Sequence, residues 1–374
     1  MNEYKRIGDL VDLIDERNKD DKVKTLIGVS IDKCFIKSVA NTIGTDLSKY
    51  QVVRKFDFAC SLMQVSRDGK IPIACLKDYD EAIMSPAYYI FRIKNTEEIL
   101  PDYMAMWFMR PEFDREASYI AVGGVRGSMP WEDFCDMKLP VPDIKEQQKI
   151  VDTYNVITNR IRIKQKINEN LEKTAQCLFE EIFSDDLQKE EISFTDVIKL
   201  SGGGTPSTSE PSFWQGNIPF FTPADINNSI FCLNTEKNLT EEGLDNCSSR
   251  LYPSNTTFVS CRGTVGKLAM AGVPMAMNQS CYALKAKESK YPFFTYSFSK
   301  FAISKLKEKA SGAVFSALVT RDFEMEKVFN PKNEDIEEFE RKVKSLFDNI
   351  KENEREILIL GNLRQLIVSQ ISKR

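Results

Sequence analysis

The chain has 374 residues, of which 42% are hydrophobic and 28% are charged, and its formal net charge is −4. A chain of about twice the usual domain size predicts two globular domains, and so small a net charge restricts any nucleic-acid surface to a local patch. The absence of histidine excludes Ser-His-Asp and Cys-His catalysis and every zinc site that needs imidazole. We expect a cytoplasmic protein without a membrane partner, because no apolar run is long enough to span a bilayer, no signal peptide is recognisable, and the nine cysteines form no C-x-x-C pair.

The first 144 residues predict short strands joined by loops. The mostly apolar run Ser61–Val65 is typical of a short strand. The tetrapeptide Ser85–Tyr88 (SPAY) is similar to the active-site signature of amino-methylating DNA methyltransferases, but it lacks the second proline of that signature, and no glycine-rich cofactor turn precedes it. A turn that enters the strand Tyr88–Phe91 is the favoured interpretation.

Two glycine-containing loops of this first part, Ser66–Lys70 and Gly123–Ser128, carry basic side chains. Arginine can clamp phosphate or bind guanine through two hydrogen bonds, and small neighbours let it approach a nucleic-acid backbone closely. A solvated turn is the alternative interpretation of each loop taken alone.

Two long helices are predicted by heptad patterns over residues 145–183 and 334–372. Apolar residues recur there at alternating steps of three and four, the spacing of a coiled-coil seam. Two matched seams can bury each other, so we expect an intramolecular helix pair, and an antiparallel pair would bring the two modules to opposite ends. A core-facing surface helix is the alternative for either helix alone. The predicted packing residues are Ile150, Tyr154, Ile157, Ile161, Leu171, Leu178, Phe339, Val343, Leu346, Ile350, Leu360 and Ile367.

Polar residues interrupt both seams, at Lys164 and Asn168 in the first helix and at Asn353 and Arg364 in the second. Polar residues at seam positions cost stability, but they can fix the register of a helix pair or leave a surface for a partner.

The segment between the helices contains a glycine- and proline-rich stretch, Ser201–Pro223. Its three consecutive glycines are not a phosphate-binding loop, because no lysine follows them at the required spacing. Farther on, the run Thr257–Cys261 predicts a strand, and the loop Ser260–Thr264 places an arginine among small residues.

The chain contains an internal repeat, in which residues of the second half match residues of the first at an offset of about half the chain length. Asp133-Phe134 falls on Asp322-Phe323, and Pro142 falls on Pro331 at the same offset. Earlier in each half, Gly69-Lys70 matches Gly266-Lys267, with an arginine shortly upstream in both. The sequence therefore predicts one module used twice, each copy ending in a long helix.

Several short motifs along the chain together match one known protein family. They are Gly203–Ser207, Phe213–Pro219, Thr222–Asp225, Cys261–Lys267 and Asn278–Cys281 in the second half, and Ser66–Gly69, Ser85–Tyr89 and Glu146–Val151 in the first. With these motifs the chain resembles the specificity subunit of type I restriction–modification systems, and the resemblance covers essentially its whole length. In the second helix the chain departs from the family's Glu-Gln-Gln pattern, with Glu337-Glu338-Phe339.

The resemblance implies an α+β fold with two pseudo-repeated globular target-recognition domains separated by a pair of long antiparallel coiled-coil helices. The domains would span residues 1–144 and 187–333, and the helices 145–186 and 334–374. Each recognition domain would bind one half of a split target in double-stranded DNA. The candidate DNA contacts are Arg67, Lys70, Arg126, Ser128, Thr205, Ser207, Arg262, Thr264 and Lys267.

The same resemblance implies a non-catalytic subunit that directs two methyltransferase subunits and, through the complex, restriction subunits to the DNA. S-adenosylmethionine, ATP and magnesium would then bind to the partner subunits and not to this chain. Two other functions stay open at this stage. One is a free-standing DNA methyltransferase that uses Ser85–Tyr88, and the other is a protein-binding adaptor with no nucleic-acid role, which the net charge of −4 would suit.

Overall fold

A computed structural model describes residues 3–19, 21–38, 44–63, 65–122, 124, 127–184, 191–287, 290–309 and 317–371. The chain divides into two units. The first unit consists of Met1–Asn159 with Leu360–Arg374, and the second consists of Arg160–Ile359.

The first unit contains a four-stranded antiparallel sheet in the order β2-β9-β6-β7, together with the antiparallel pairs β1-β10, β3-β4 and β5-β8. Stacked Phe58 and Phe91, 5.2 Å apart, lie at the centre of its aromatic core. The strands are β1 (Glu3–Arg6), β2 (Val11–Ile14), β3 (Ile27–Val29), β4 (Phe35–Lys37), β5 (Gln51–Arg54), β6 (Phe58–Cys60), β7 (Ile73–Cys75), β8 (Glu81–Met84), β9 (Tyr89–Ile93) and β10 (Lys138–Val141). The helices are α1 (Ile7–Leu10), α2 (Val65–Asp68), α3 (Pro101–Phe108), α4 (Pro111–Ile120) and α5 (Trp131–Asp136), together with the first part of the long α6 (Ile144–Ile182), which belongs to the second unit from Arg160 onward.

The prediction of a strand at Ser61–Val65 is wrong. Strand β6 ends at Cys60, and Val65 begins the short helix α2 with its side chain fully buried. The apolar side chains of a short run can be buried in a strand, in a loop or at the start of a helix. Composition alone therefore does not distinguish these three structures.

The second unit is built in the same way around a five-stranded sheet in the order β12-β19-β16-β17-β14 and a three-stranded sheet in the order β15-β13-β18. Its strands are β11 (Glu191–Ser193), β12 (Ile198–Gly202), β13 (Trp214–Phe221), β14 (Phe231–Cys232), β15 (Lys237–Leu239), β16 (Thr257–Ser260), β17 (Leu268–Ala271), β18 (Ala276–Met277), β19 (Cys281–Ala286) and β20 (Lys327–Phe329). Its helices are α7 (Phe194–Val197), α8 (Glu241–Asp245), α9 (Pro292–Lys309) and α10 (Thr320–Met325), together with the first part of the long α11 (Asn333–Gln370), which belongs to the first unit from Leu360 onward. The strand predicted from Thr257 is confirmed as β16.

The two sheets share one topology, which confirms the internal repeat. The order β2-β9-β6-β7 in the first unit matches the order β12-β19-β16-β17 in the second. Helix α3 begins with Pro101 after one sheet, and α9 begins with Pro292 after the other. Gly69 and Gly266, which match in the repeat, both have left-handed backbones with φ of 67° and 72°, a conformation that favours glycine.

The long helices α6 and α11 confirm the two predicted from heptads. In the first unit, Ile150 and Tyr154 of α6 pack in the same core as Ile367 of α11. In the second unit, Phe179 near the end of α6 contacts Phe339 near the start of α11, with ring centroids 5.5 Å apart. The start of each helix therefore lies beside the end of the other, and the pair is antiparallel.

Three of the four polar residues that interrupt the seams meet one another in the second unit. Lys164 Nζ and Asn168 Oδ1 each lie 2.8 Å from the side-chain amide of Asn353, as donor and acceptor respectively. These hydrogen bonds satisfy polar groups inside the helix pair, and they fix one register because a shift of either helix would separate them.

Among the described residues, no helix is long and apolar enough to cross a membrane.

Candidate nucleic-acid interface

The loop between β16 and β17 presents three of the predicted DNA contacts. Arg262, Thr264 and Lys267 are all exposed on it. The N–H of Leu318 donates to the carbonyl of Cys261 at 2.9 Å, and Arg262 forms an isolated backbone bridge with Ala317. The loop backbone is therefore fixed, while the side chains that could contact a ligand project from it.

The equivalent loop of the first unit follows β6 and contains helix α2. Arg67 is exposed there, and its Nε donates to the carboxylate of the adjacent Asp68 at 2.8 Å. Lys70 is exposed as well. The arginine of the first loop, Arg67, is thus paired with a carboxylate. The arginine of the second loop, Arg262, makes no side-chain hydrogen bond or ion pair with the described residues.

A second loop of the first unit lies against this one. A Cβ atom built on Gly127 would lie 2.3 Å from Ser66 Oγ, and the N–H of Met129 donates to the carbonyl of Leu62 at 2.9 Å. The structure therefore brings half-buried Ser128 close to the α2 loop. Arg126, the other predicted contact on this segment, lies outside the described residues.

The glycine- and proline-rich stretch packs as a rigid segment of the second unit. A Cβ atom on Gly203 would lie 2.3 Å from the carbonyl oxygen of Met277, so only glycine fits there. Trp214 donates from its indole nitrogen to the Ser207 carbonyl at 3.0 Å and packs edge-on against Phe220. Thr205 is exposed, but its hydroxyl donates to the side-chain oxygen of Gln279.

The Ser85–Tyr88 tetrapeptide forms the predicted turn. The N–H of Tyr88 donates to the Ser85 carbonyl at 3.2 Å, and strand β9 begins at the next residue. Tyr88 packs against the core cluster that contains Val53 and Ile90.

Two lysines of α9 lie beside the Arg262 loop, and sequence reasoning missed the one that contacts it, Lys307. Lys300 and Lys307 line a cavity of about 350 Å³ together with Lys267 and Glu172. Lys300 pairs with Glu172 at 2.6 Å, and Lys307 donates to the carbonyl of Gly266 at 2.8 Å. Their seven-residue spacing, which places both on one helix face, was the available signal.

The predicted packing residues lie as follows along the two helices. Ile157 and Ile161 of α6 are buried, as are Phe339, Val343 and Ile350 of α11. The other seven are partly buried, and all of these except Leu360 pack against the cores of their own units: Ile150, Tyr154, Leu171, Leu178, Leu346, Leu360 and Ile367.

Polar side chains of the long helices also hold the globular parts. In the first unit, the fully buried Gln147 accepts from the N–H of Leu100 at 2.9 Å, at the start of α3. Its amide nitrogen donates to the carbonyls of Glu98 and Pro142, both at 2.8 Å. Both N–H groups and the carbonyl oxygen of this neutral side chain are thus bonded to backbone groups that lie just before α3 and α6.

The second unit uses carboxylates for the same purpose. Glu340 accepts from the N–H groups of Phe293 and Phe294 at the start of α9, and Glu354 accepts from those of Ile230 and Phe231 at 2.8 and 2.9 Å. Burial raises the pKa of Glu340 and the pKa of Glu354 to about 7 each, against the opposing effect of the donated N–H groups.

Comparisons with known proteins agree with this architecture. The family profile described as "Type I restriction modification DNA specificity domain" matches twice, at residues 2–173 and 187–359. The HindI specificity subunit of Haemophilus influenzae is 23% identical over 79% of this chain and 81% of its own length. The MjaIX specificity subunit of Methanocaldococcus jannaschii is 30% identical over 43% of this chain and 38% of its own length.

The fold is also similar to that of a solved protein. The type I restriction–modification S subunit from M. genitalium superimposes with a TM-score of 0.60 at 14% identity, over 99% of this chain and 95% of that one. The two family matches together cover most of the sequence, and each falls on one copy of the repeated module. The chain therefore belongs to the type I restriction–modification DNA specificity family.

Proposed function

We propose that this chain is the subunit of a type I restriction–modification complex that recognises a bipartite target in double-stranded DNA, each unit binding one half-site. One observation carries this proposal: the repeated module presents an exposed loop with an arginine and a lysine at the same place of the same sheet in both copies. Arginine on such a loop can bind guanine through two hydrogen bonds or clamp a phosphate.

The half-site contacts follow from the placement of the loops. In the second unit we assign them to Arg262, Thr264 and Lys267, which are all exposed. In the first unit Arg67 and Lys70 occupy the equivalent loop, and Ser128 lies on the neighbouring one. Thr205 and Ser207 belong to the rigid segment before β13 and are assigned a supporting role at the rim of the second half-site.

The long helices would bind the methyltransferase subunits and set the spacing between the half-sites. Ile163 and Ile167 of α6 are 54% and 41% exposed in the second unit, and Leu363 and Leu366 of α11 are 44% and 56% exposed in the first. Neighbouring large apolar side chains on an exposed helix face are typical of protein-binding surfaces. One such patch in each unit supports two methyltransferase subunits, with restriction subunits joining through the complex.

We assign no catalytic step to this chain. In the proposed complex, S-adenosylmethionine binds the methyltransferase subunits, and ATP and magnesium bind the restriction subunits. The specificity subunit would recognise the DNA sequence at which the partner subunits act. We place it in the cytoplasm, where both these partners and chromosomal DNA would be present.

Methylome sequencing of a host that carries this chain with its methyltransferase subunit tests the proposal, against the same host without this chain. We expect a methylated bipartite motif that is lost in the deletion strain. Unchanged methylation would contradict the proposal. A protein-binding adaptor would in addition show no salt-dependent DNA affinity, whereas phosphate contacts impose a steep dependence on salt concentration.

A further inference from the structure

The Arg262 loop is held from inside the second unit by Ser260, which is fully buried. The Ser260 hydroxyl accepts from the N–H of Lys267 at 3.0 Å and donates to the carbonyl of Thr264. The carbonyl of Ser260 accepts from the N–H of Gly266 at 2.8 Å. These bonds close the loop into a tight hairpin turn.

A second support comes from helix α9, through Lys307. Its ammonium group donates to the carbonyl of Gly266 at 2.8 Å. A Cβ atom on Gly266 would lie only 2.8 Å from Lys307 Cε and 3.2 Å from Ile303 Cγ2. The loop backbone therefore lies directly on the face of α9, and Lys307 spans the contact.

We propose that Lys307 is a positioning residue for DNA recognition by the second unit, acting through the Gly266 carbonyl on the loop that carries Arg262. This inference rests on the proposed function. Arg262 is exposed and makes no side-chain hydrogen bond or ion pair with the described residues, so none of them holds its guanidinium, and the loop backbone sets where its side chain starts. A base contact tolerates little displacement of its donor atoms, because hydrogen-bond energy falls steeply with distance and angle. The loss of the α9 support therefore weakens base discrimination and leaves the charge of the loop unchanged.

Lys300 provides the matched control. It lies on the same helix, seven residues earlier, and lines the same cavity. Its ammonium group pairs with Glu172 at 2.6 Å, and among the described residues it makes no hydrogen bond to the loop. Lys300→Ala therefore removes the same charge from the same cavity and leaves the loop support in position.

The test uses the complex of the full chain with its methyltransferase subunit and a duplex containing the motif found by methylome sequencing. Relative affinities are measured for single-base variants of each half-site, at several salt concentrations, for the wild type, Arg262→Ala, Lys307→Ala, Lys307→Arg and Lys300→Ala. Arg262→Ala identifies the half-site bound by the second unit. The other half-site serves as an internal control for folding and assembly in every variant.

We expect Lys307→Ala to lose about tenfold in base discrimination, at the lower end of the loss of one two-bond base contact, and only in the half-site that Arg262→Ala affects. The salt dependence should stay at the wild-type slope, Lys307→Arg should retain most of the discrimination because it keeps a cationic donor, and Lys300→Ala should behave as the wild type.

Unchanged discrimination in Lys307→Ala would overturn the proposal, as would an equal loss in both half-sites. A slope lower by about 0.9 with discrimination intact would also overturn it, since that is the signature of one lost phosphate contact. If instead the wild-type complex shows no sequence preference at all, it is the proposed function that fails.

Discussion

The two units share the strand order of their main sheets and differ in the charges on their exposed loops. In the first unit, Arg67 is paired with the neighbouring Asp68 at 2.8 Å, whereas Arg262 of the second unit makes no such pair with the described residues. The strand order of the two sheets is nevertheless the same. Buried apolar side chains and backbone hydrogen bonds fix the sheet, and neither constrains a side chain that points out of a loop. One fold can therefore present two different recognition surfaces, which is what a split target requires.

The attachment of each module to the long helices shows the same contrast. A neutral amide, Gln147, holds the start of α3 in the first unit. Two carboxylates, Glu340 and Glu354, hold backbone N–H groups in the second. The amide and the carboxylates both accept hydrogen bonds from backbone N–H groups where a long helix meets the globular part of its unit. Only the carboxylates can gain or lose a proton as the pH changes. The second unit should thus respond to pH in a way that the first does not.

The largest expected effect comes from shortening both long helices together. Deletion of residues 156–162 of α6 and 355–361 of α11, where the helices pass from one unit to the other, keeps Ile163 and Ile167 and should leave both half-sites intact and shorten the spacer. Seven helical residues span about 10 Å, or about three base pairs. Methylome sequencing checks the result, and an unchanged spacer would mean that the helices do not set it. Deletion from α6 alone should instead destroy the seam and the assembly.

The recognition loops are compared by removing one arginine from each. Arg262→Ala should cost about 1–3 kcal/mol of base discrimination in one half-site, and Arg67→Ala should cost less and act on the other, because Asp68 already offsets part of the charge of Arg67. Competition binding with half-site variants measures both. Arg341→Ala, which removes an exposed arginine of α11, is the control. Loss in both half-sites from either substitution would contradict modular recognition.

Removal of the Gln147 amide should destabilise the first unit. Gln147→Ala leaves the N–H of Leu100 and two carbonyls without their buried partner, and we expect a loss of about 2–3 kcal/mol in unfolding free energy. Urea unfolding followed by far-ultraviolet circular dichroism measures it. Gln148→Ala is the matched control, because the Gln148 side chain is exposed and, among the described residues, bonds only Asp152 of its own helix. Equal stability of the two variants would show that the buried amide is not an anchor.

The smallest expected effect is a pH dependence of the second unit. The pKa of Glu354 is about 7 in the folded unit and 4.5 for an unperturbed glutamate, so the folded state binds the proton more tightly. The stabilisation is complete below about pH 4.5 and is lost as pH rises through 7. Glu340 has the same pKa shift and acts in the same direction.

Glu354→Gln removes the contribution of one of these two groups. The change in unfolding free energy between pH 5.5 and 8 should then be smaller than in the wild type by about 1–3 kcal/mol, since each pKa unit corresponds to about 1.4 kcal/mol. Calorimetric scans at the two pH values measure it. Glu337→Gln is the control, because the pKa of Glu337 is lowered by Lys290 and this group does not titrate in that window. An equal pH dependence in Glu354→Gln and the wild type would rule out Glu354 as its source.

The sequence by itself determined the features that depend on local periodicity and on likeness between its two halves. The heptads placed the long helices because a repeat of three and four residues puts apolar side chains on one helix face whatever surrounds it. The match between Gly69 and Gly266 located two equivalent turns, because a left-handed backbone selects glycine in both. Where composition alone was the guide, the outcome varied, because the strand predicted at Ser61–Val65 is absent whereas the one predicted from Thr257 is confirmed.

Only the tertiary structure decided which distant groups meet. Glu354 bonds a strand more than a hundred residues earlier, and Lys307 reaches a loop carbonyl from another helix. The amide of Asn353 joins Lys164 and Asn168 across the helix pair. No local pattern encodes such contacts, because a polar side chain looks the same in sequence whether it faces water or a buried N–H group. Its role is fixed only when the fold removes the water and brings one particular partner within hydrogen-bond distance.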